Sequence, residues 1–355
     1  MGGSQLLDLL GEANAAAIVG LFGGIALGLA ARIGRFCTLG AIEDVLYGAD
    51  DRRLRMWAIA IGVAIIGSHL AMSAEFFSGS EAAYLALAWN PVGTVVGGLM
   101  FGYGMALAGN CGFTALARLG GGDRRSFVIV VVMGLAAFAT LSGPLAWLRV
   151  AVFPTPGAAP SPNGIAHAVG TMTGLSVPLI GIVIGAIAVA FALSNKAFRD
   201  TRMNIVWSMV IALSVVSAWA GMSLINRTGF DDIAVVSHTF SVPIGETILY
   251  GMTASGQTLS FGIGSVVGVW VGAFIGSLIK GHFRWEACED PRELRRQIFG
   301  AGMMGAGAVI ALGCSIGQGL SAFSVLSFSA PVTFAAIFAG AALGLRQLIV
   351  GFSAA

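Results

Sequence analysis

The stretch AGNCGFTALARLGGG, residues 108–122, interrupts an apolar run where a membrane helix would otherwise continue. It follows GGLMFGYGMAL, residues 97–107, which has the composition of the last part of a membrane-spanning helix. The four residues GNCG (109–112) then introduce two glycines, an amide and a thiol. Glycine is the residue that most readily ends a helix. The stretch therefore predicts a helix that breaks and restarts after Cys111, inside the protein or along a cavity.

Two other cysteines stand at comparable breaks. Cys37 lies in IGRFCTLGAIEDV (33–45), and Cys314 lies in GAGMMGAGAVIALGCSIGQGLSA (300–322). A lone cysteine in a membrane helix usually behaves as a small buried apolar side chain. Three cysteines at three glycine-flanked breaks favour a functional role instead. The fourth, Cys288, lies in a charged segment, where we expect it to be exposed and reduced.

The composition places the 355-residue chain in a membrane. Hydrophobic residues make up 57% of it, charged residues only 10%, and the mean hydropathy is +0.88. Soluble domains carry about 25% charged residues. The apolar runs are continuous rather than alternating, so they predict helices and not the strands of a barrel. The net charge of +2 gives no indication of a nucleic-acid partner.

The hydropathy pattern predicts an all-α polytopic membrane protein with about nine transmembrane helices. Lysine and arginine cluster after the first, third, fifth and seventh spans, whereas the 150–176 loop contains neither. The positive-inside rule then places the N-terminus outside and the C-terminus inside. The predicted spans are 13–32, 56–74, 91–109, 126–149, 177–194, 204–222, 259–280, 297–313 and 330–351.

Four segments between these spans are too short to cross a bilayer and predict re-entrant half-helices. They are 38–48, 112–120, 243–254 and 315–327. The order span, half-helix, span, span, half-helix, span occurs in 13–149 and recurs with opposite orientation in 204–351.

The residues 177–194 would link the two halves of a single transmembrane domain, 1–355. An inverted repeat with broken helices is typical of transporters, and the broken helices indicate the binding site.

Each break could bind an anion without a charged side chain. The N-terminus of a helix has unpaired N–H groups and a partial positive charge. No lysine or arginine lies in the centre of a predicted span, so neutral donors would have to serve. A protonated thiol is a weak donor with a polarizable sulfur, and weak successive sites let a ligand leave as readily as it enters. The neutral donors near the breaks are Thr38, Asn110, Thr114, Ser255, Gln257, Ser315 and Gln318.

Other kinds of site are not indicated. The four histidines do not cluster, so we expect no metal site, and no strand precedes the glycine patterns, so we expect no nucleotide loop. We expect no cofactor and no enzyme activity. Glu43 and Asp44 are expected at a helix end or facing a loop, and Glu246 is expected to complement the dipole of the helix that starts near 243.

At these motifs the chain resembles the YeeE/YedE family of bacterial inner-membrane proteins, whose characterised members take up thiosulfate. The resemblance covers nearly the whole chain. It rests on GRFCTLGAI (34–42), GNCGFTALARLGGG (109–122), SFGIGSVVGVWVGAFIGSLIKGHFRWE (260–286) and ALGCSIGQGLSA (311–322).

The resemblance implies two inverted halves that form an hourglass, with thiosulfate passed along Cys37, Cys111 and Cys314 by contacts of the thiols. Cys288 matches no family motif. The residues expected to support the relay cysteines are Gly109, Asn110, Gly112, Gly313, Ser315 and Gln318.

We therefore expect a transporter that takes up a small sulfur oxyanion, most directly thiosulfate, across the bacterial inner membrane. Some relatives carry a fused sulfurtransferase domain that this chain lacks, so a separate small sulfur-carrier protein in the cytosol is a candidate partner. Alternatives are transport of another sulfur or selenium species, a membrane thiol oxidoreductase that exchanges disulfides, and a scaffold in which the breaks only serve packing. The sequence leaves the driving force, the oligomeric state and the role of Cys288 open.

Overall fold

Helices form the regular structure, and no β-strand occurs in the residues that the structure describes. The computed structural model describes residues 11–154, 157–159, 162–231, 233–286 and 290–351. Cys288 lies outside the described residues, so its exposure stays a prediction. The α-helices are α1 (Glu12–Arg32), α2 (Thr38–Tyr47), α3 (Arg52–Ser73), α4 (Ala83–Ala86), α5 (Pro91–Ala108), α6 (Gly112–Gly120), α7 (Arg124–Leu141), α8 (Ala146–Val152), α9 (Ile165–Thr173), α10 (Val177–Leu193), α11 (Lys196–Arg199), α12 (Arg202–Thr228), α13 (Ser241–Thr253), α14 (Phe261–Ile279), α15 (Pro291–Ile310) and α16 (Ser329–Val350).

Seven helical stretches in the described chain are long and apolar enough to cross a membrane. The predicted all-α polytopic fold is therefore confirmed. Helix α10 is apolar but has only 17 residues, and α15 begins with a charged first turn. The seven stretches are Glu12–Arg32, Arg52–Ser73, Pro91–Gly120, Arg124–Leu141, Arg202–Thr228, Phe261–Ile279 and Ser329–Ile349.

The predicted span 126–149 is wrong at its end. Helix α7 stops at Leu141, and the separate short helix α8 begins at Ala146. Ser142, Gly143 and Pro144 lie between them. A proline inside a helix would remove a backbone hydrogen bond and clash with the preceding turn, which explains the stop.

The helix break at 109–111 occurs where the sequence predicts it. Helix α5 ends at Ala108 and α6 begins at Gly112. The two helices nevertheless form one 30-residue apolar stretch, Pro91–Gly120. Helix α6 thus follows α5 after a break of three residues, 109–111. The re-entrant course predicted for 112–120 stays a prediction.

The three cysteine breaks share one backbone feature. The residue two positions before each cysteine has a left-handed backbone: φ is 54° at Arg35, 75° at Gly109 and 56° at Leu312. A left-handed residue ends the preceding helix and turns the chain, so that the cysteine two positions later starts a new helix. Only at Gly109 is the residue one that adopts this conformation without strain.

Replacing Gly109 with alanine is expected to destabilise the protein by about 1–2 kcal/mol, because an L-residue pays that cost in the left-handed region. A Cβ at this position would meet no atom within 4 Å, so the cost is conformational. Gly251→Ala in α13 is the matched control, since its Cβ also has open space and its backbone is helical. Thermal unfolding in detergent should show a loss for Gly109→Ala and none for Gly251→Ala. Equal stability of the two variants would contradict this account.

The helix bundle is held by close packing between distant parts of the chain. Helix α1 packs along α14, α5 packs along both α15 and α16, and α3 packs along α10. Glycine makes the approach of α1 and α14 possible, because a Cβ at Gly264 would collide with the carbonyl oxygen of Ala17.

Basic residues lie mainly at one end of the bundle. Arg32 ends α1, Arg52 begins α3, Arg124 begins α7 and Arg202 begins α12. We call this the basic end and the opposite end the far end. The far end carries the loops between α3 and α5, between α7 and α10, and between α12 and α14, because these helices alternate in direction.

Candidate functional site

Each of the three cysteines at the breaks immediately precedes a helical segment. Cys37 is the N-cap of α2, and its sulfur accepts a hydrogen bond from the backbone N–H of Gly40 at 3.4 Å. Cys314 has the same arrangement, because the N–H of Gly317 donates to its sulfur at 3.4 Å. Cys111 is the N-cap of α6. The thiols therefore lie at the positive ends of three helical segments, as the sequence predicts.

Thr114 joins the central cysteine to the one nearer the basic end. Its hydroxyl oxygen lies 3.0 Å from the Cys111 sulfur and accepts the Cys111 backbone N–H at 3.2 Å. The Cys37 thiol donates to the same oxygen over 3.9 Å. Cys111 is fully buried, while Cys37 is half-buried. One hydroxyl therefore contacts two of the three thiols.

Cys314 contacts the segment that leads into α13. The Thr239 hydroxyl oxygen lies 3.5 Å from the Cys314 sulfur, and the Phe240 N–H donates to it at 3.4 Å. The Phe240 ring in turn packs on Phe113, the last residue of the GNCGF stretch (109–113), with ring centroids 5.3 Å apart. These contacts bring Cys314 and Cys111 to the same buried region.

Ser315, the residue after Cys314, lies between Cys314 and Cys111. The Ser315 side chain interacts with the Cys111 thiol, although its hydroxyl has no partner at hydrogen-bonding distance. Cys314, Ser315, Cys111, Thr114 and Cys37 thus form a series of polar side chains between the segment before α13 and the start of α2.

Four buried polar side chains at the helix starts lack a hydrogen-bond partner among the described residues. Each of these side chains lies at or next to the first residue of a different helical segment: Thr38 on α2, Asn110 before α6, Ser241 on α13 and Ser315 after Cys314. They are between 1% and 2% exposed. Six other buried polar atoms without a partner occur among the described residues, but these four share a position at a helix start. A buried polar group without a partner costs about 1–3 kcal/mol, so the four together indicate a place where a polar ligand or water binds. We call this region the constriction.

A cavity lies on the far-end side of the constriction. Its volume is about 270 Å³, and its walls include Gly313 and Gln318 near Cys314, together with Tyr84, Thr239 and Ser241. No lysine, arginine, aspartate or glutamate is among the described residues that line it. The polar groups that an anion could contact in this cavity are therefore neutral, and they lie among apolar side chains such as Leu87, Val236 and Leu312.

A second cavity lies on the basic-end side. Its volume is about 410 Å³, and Cys37, Gly109 and Thr114 form its inner wall. Positive charge dominates its mouth. The charged and titratable residues that line it are Arg32, Arg35, Glu43, Arg53, Arg118 and His282.

The predicted supporting residues fall into three groups. Asn110 and Ser315 are buried beside the thiols with unpartnered oxygens. Gly313 and Gln318 line the far-end cavity, but the Gln318 amide is occupied by the carbonyls of Ala311 and Leu312. The glycines at 109 and 112 shape the break.

A Cβ at Gly112 would collide with the methyl group of Met133, so this glycine provides room for packing. Two other predicted donors do not reach the site. Ser255 and Gln257 are exposed in the turn after α13, far along the chain from its N-terminus. The sequence does not predict this exposed position, because it does not tell which end of a half-helix points into the protein.

The dipole role expected for Glu246 is wrong for its own helix. Helix α13 begins at Ser241 and has no acidic residue in its first turn. Glu246 instead accepts a hydrogen bond from Ser260, the N-cap of α14, at 3.3 Å. Asp44 pairs with Arg53 at 3.3 Å at the end of α2, as expected for a helix-end residue.

Sequence reasoning missed Tyr84, Thr239 and Ser241. The Tyr84 hydroxyl interacts with Thr239, and it lies over the backbone of Gly313 and Gly317, where Cβ atoms would come within 3.3 and 2.8 Å of it. Nothing in the sequence near Tyr84 indicates this, because the residue lies in the short helix α4, more than two hundred positions before Gly313 and Gly317. Ser241 was detectable as the hydroxyl at the start of a predicted half-helix.

Glu81 anchors the loop that presents Tyr84. Its carboxylate accepts hydrogen bonds from Ser223 at 2.7 Å and from Arg227 at 3.1 Å. Burial raises the pKa of Glu81, but these hydrogen bonds outweigh burial and hold the pKa below its ordinary value. The carboxylate is therefore ionised and fixes the loop against α12.

No group of three or more histidine, cysteine or acidic residues suited to a metal ion occurs in the part of the chain that the structure describes. The apolar helices, the buried polar constriction and the cavities on its two sides define a multi-pass membrane transporter.

The chain belongs to the sulphur transport family, whose model matches residues 33–343. It is 26% identical over 321 residues to a thiosulfate transporter, TsuA, of Spirochaeta thermophila, an alignment that covers 87% of this chain and 92% of the relative. It is 25% identical over 343 residues to thiosulfate transporter TsuA of Escherichia coli, with 85% and 86% covered. The family and these relatives are transporters and not enzymes, as the sequence predicts.

Proposed function

We propose that the protein takes up thiosulfate, or a closely related sulfur oxyanion, across the bacterial plasma membrane through the constriction. The observation that carries this proposal is the set of four unpartnered polar atoms beside three thiols. Thiosulfate has one soft sulfur end and three hard oxygen atoms. The thiols match the first, and the hydroxyl, amide and backbone N–H groups match the second. The names of the two relatives support the substrate.

The passage would run from the far-end cavity to the basic-end cavity. In this proposal the basic end faces the cytosol, with the N-terminus outside and the C-terminus inside. An anion would meet Cys314 first, then Cys111, then Cys37. The constriction holds no basic side chain among its described residues, so each contact is weak enough to release the anion to the next. The arginines of the basic-end cavity would then receive it.

Two inverted halves, 13–149 and 204–351, would build this passage, with 177–194 as the link. Helix packing supports the arrangement. The contact of α1 with α14 has a counterpart in that of α12 with α3, and the contact of α5 with α16 has one in that of α15 with α7. Both halves would place a segment that turns back at its own end, α2 at the basic end and α13 at the far end.

Disulfide exchange is the rival chemistry. Cys37, Cys111 and Cys314 are all free thiols in the structure, and the chain has no C-x-x-C motif. Both observations favour transport over a thiol oxidoreductase. A cytosolic sulfur-carrier protein that accepts the anion inside stays a prediction, as does the transport of related selenium anions.

Uptake of labelled thiosulfate by cells that lack other sulfur transporters tests the proposed function. Expression of the parent chain should give time-dependent uptake that unlabelled thiosulfate abolishes. Inhibition of this uptake by selenosulfate and by sulfate then ranks the anions by their affinity for the transporter. A well-expressed chain in the membrane that takes up no thiosulfate would refute the proposed substrate.

Thr114→Val is expected to reduce the uptake rate roughly tenfold, because the Cys111 and Cys37 thiols lose the hydroxyl between them and no hydrogen bond replaces it. Thr114→Ser keeps the hydroxyl and should retain most of the rate. Valine has the shape of threonine, so the comparison isolates the hydroxyl. Uptake assays at matched membrane protein levels measure this, and equal rates for the valine variant and the parent would show that the hydroxyl takes no part.

A further inference from the structure

The start of α13 is the one helical start at the constriction that carries no cysteine. Phe240 occupies the N-cap position there, and Ser241 follows as the first residue of the helix. The Ser241 side chain is 1% exposed, its hydroxyl has no partner among the described residues, and the residue lines the far-end cavity. A hydroxyl so deeply buried and unpartnered at a cavity wall indicates a ligand with a hydrogen-bond acceptor.

Two further hydroxyls lie in the same cavity wall. The Thr239 hydroxyl lies 3.5 Å from the Cys314 sulfur, and the Tyr84 hydroxyl interacts with Thr239. Both residues line the far-end cavity with Ser241. The three hydroxyls therefore surround the approach to Cys314.

The other polar groups of the cavity wall carry no charge, and they already form hydrogen bonds within the protein. The Gln318 amide donates to two backbone carbonyls, and its oxygen accepts from Ser329 at 3.0 Å. No charged side chain is among the described residues that line the cavity. The other hydroxyl and amide side chains of the cavity wall each donate to a protein acceptor: Asn90, Thr94, Asn163, Ser237, Ser327 and Ser329. Oxygen atoms of an anion would consequently depend on the Ser241, Thr239 and Tyr84 hydroxyls.

We propose that Ser241, Thr239 and Tyr84 form an oxyanion subsite, which holds the oxygen atoms of the entering anion while its sulfur end contacts Cys314. This inference rests on the proposed function, and it assigns the two ends of the substrate to different groups. The subsite binds tetrahedral oxyanions as a class, and Cys314 supplies the preference for an anion that also carries a soft sulfur.

Binding measurements on the purified protein in detergent can distinguish the contribution of the anion's oxygen atoms from that of its sulfur end. Titration calorimetry with thiosulfate and, separately, with sulfate gives a Kd for an anion with a sulfur end and for one without. Ser241→Ala is expected to raise the Kd of both anions by the same factor, roughly threefold to tenfold for one neutral hydrogen bond. Thr239→Val should behave similarly. Cys314→Ala should raise the Kd of thiosulfate and leave that of sulfate unchanged.

Ser80→Ala, which removes an exposed hydroxyl from the far-end loop, is the control and should match the parent for both anions. Unfolding temperatures report whether each variant is folded. Parental Kd values for both anions in Ser241→Ala and in Thr239→Val would overturn the subsite, even if uptake of thiosulfate stands. A parent that binds sulfate through these hydroxyls but takes up no thiosulfate would preserve the subsite and refute the proposed function. A parent that binds neither anion would overturn both.

Discussion

Replacing Cys111 with alanine is expected to reduce thiosulfate uptake to the background of cells without the protein. Cys111 is fully buried, and it contacts Thr114 at 3.0 Å on one side and interacts with Ser315 on the other. In the proposed passage it lies between Cys314 and Cys37. Alanine has nearly the same volume, so the variant loses the sulfur and keeps the packing.

The matched control is Cys288→Ala, which removes a thiol that matches no family motif and should keep full uptake. Uptake is measured with labelled thiosulfate, and membrane fractions are compared by immunoblot. Cys37→Ala and Cys314→Ala are expected to lose most of the activity as well. A Cys111→Ala protein that accumulates normally and transports at the parental rate would refute the relay.

Gly317→Val is expected to lower uptake at least tenfold. A Cβ at Gly317 would lie 2.6 Å from the Thr239 hydroxyl oxygen and 2.8 Å from the Tyr84 hydroxyl. Because both hydroxyls must shift, Thr239 would move away from the Cys314 sulfur, and overpacking of this kind costs about 1–3 kcal/mol. The glycine N–H that donates to Cys314 would shift with them.

Gly302→Val is the control, because a Cβ at that position in α15 meets nothing within 4 Å. Initial rates of uptake over a range of thiosulfate concentrations give both kcat and KM. We expect a defect in the Gly317 variant that added thiosulfate does not restore. Parental kinetics in this variant would show that the packing around Cys314 is not needed.

Most of the helices could be predicted from the hydropathy pattern and from the residues that end a helix. The apolar runs gave the helices, and glycine beside a cysteine marked the break after Ala108 and the start of α6. Both patterns are local, because a membrane helix must satisfy its own backbone groups. The misplaced end of α7 has the same local origin, since the run 126–149 remains apolar past the proline that stops the helix.

The site could be predicted only where its residues are next to the breaks. Cys37, Cys111 and Cys314 were visible because each starts a helix, and Asn110 and Ser315 because they adjoin a cysteine. Tyr84 lies in α4 and Thr239 in the segment before α13, both distant in sequence from the cysteines, and their hydroxyls reach the site through tertiary packing. A single sequence contains no signal for such contacts.

The two cavities differ in charge in a way that fits inward transport of an anion. Neutral groups line the far-end cavity, and arginines surround the basic-end cavity. A divalent anion that moves inward against the membrane potential is opposed by about 2.3 kcal/mol per charge per 100 mV. With the basic end facing the cytosol, as we propose, the arginines at its mouth would lower the electrostatic energy of the anion where it leaves the constriction.

Crystals of the protein soaked with selenosulfate would show whether the anion binds at the three thiols. Selenosulfate replaces the outer sulfur of thiosulfate with selenium, whose anomalous scattering marks the soft end of the anion. We expect a selenium peak in van der Waals contact with the sulfur of Cys314, Cys111 or Cys37, with the oxygen atoms toward the unpartnered hydroxyls. Selenium bound only among the arginines of the basic-end cavity, with no peak at any of the three thiols, would contradict it.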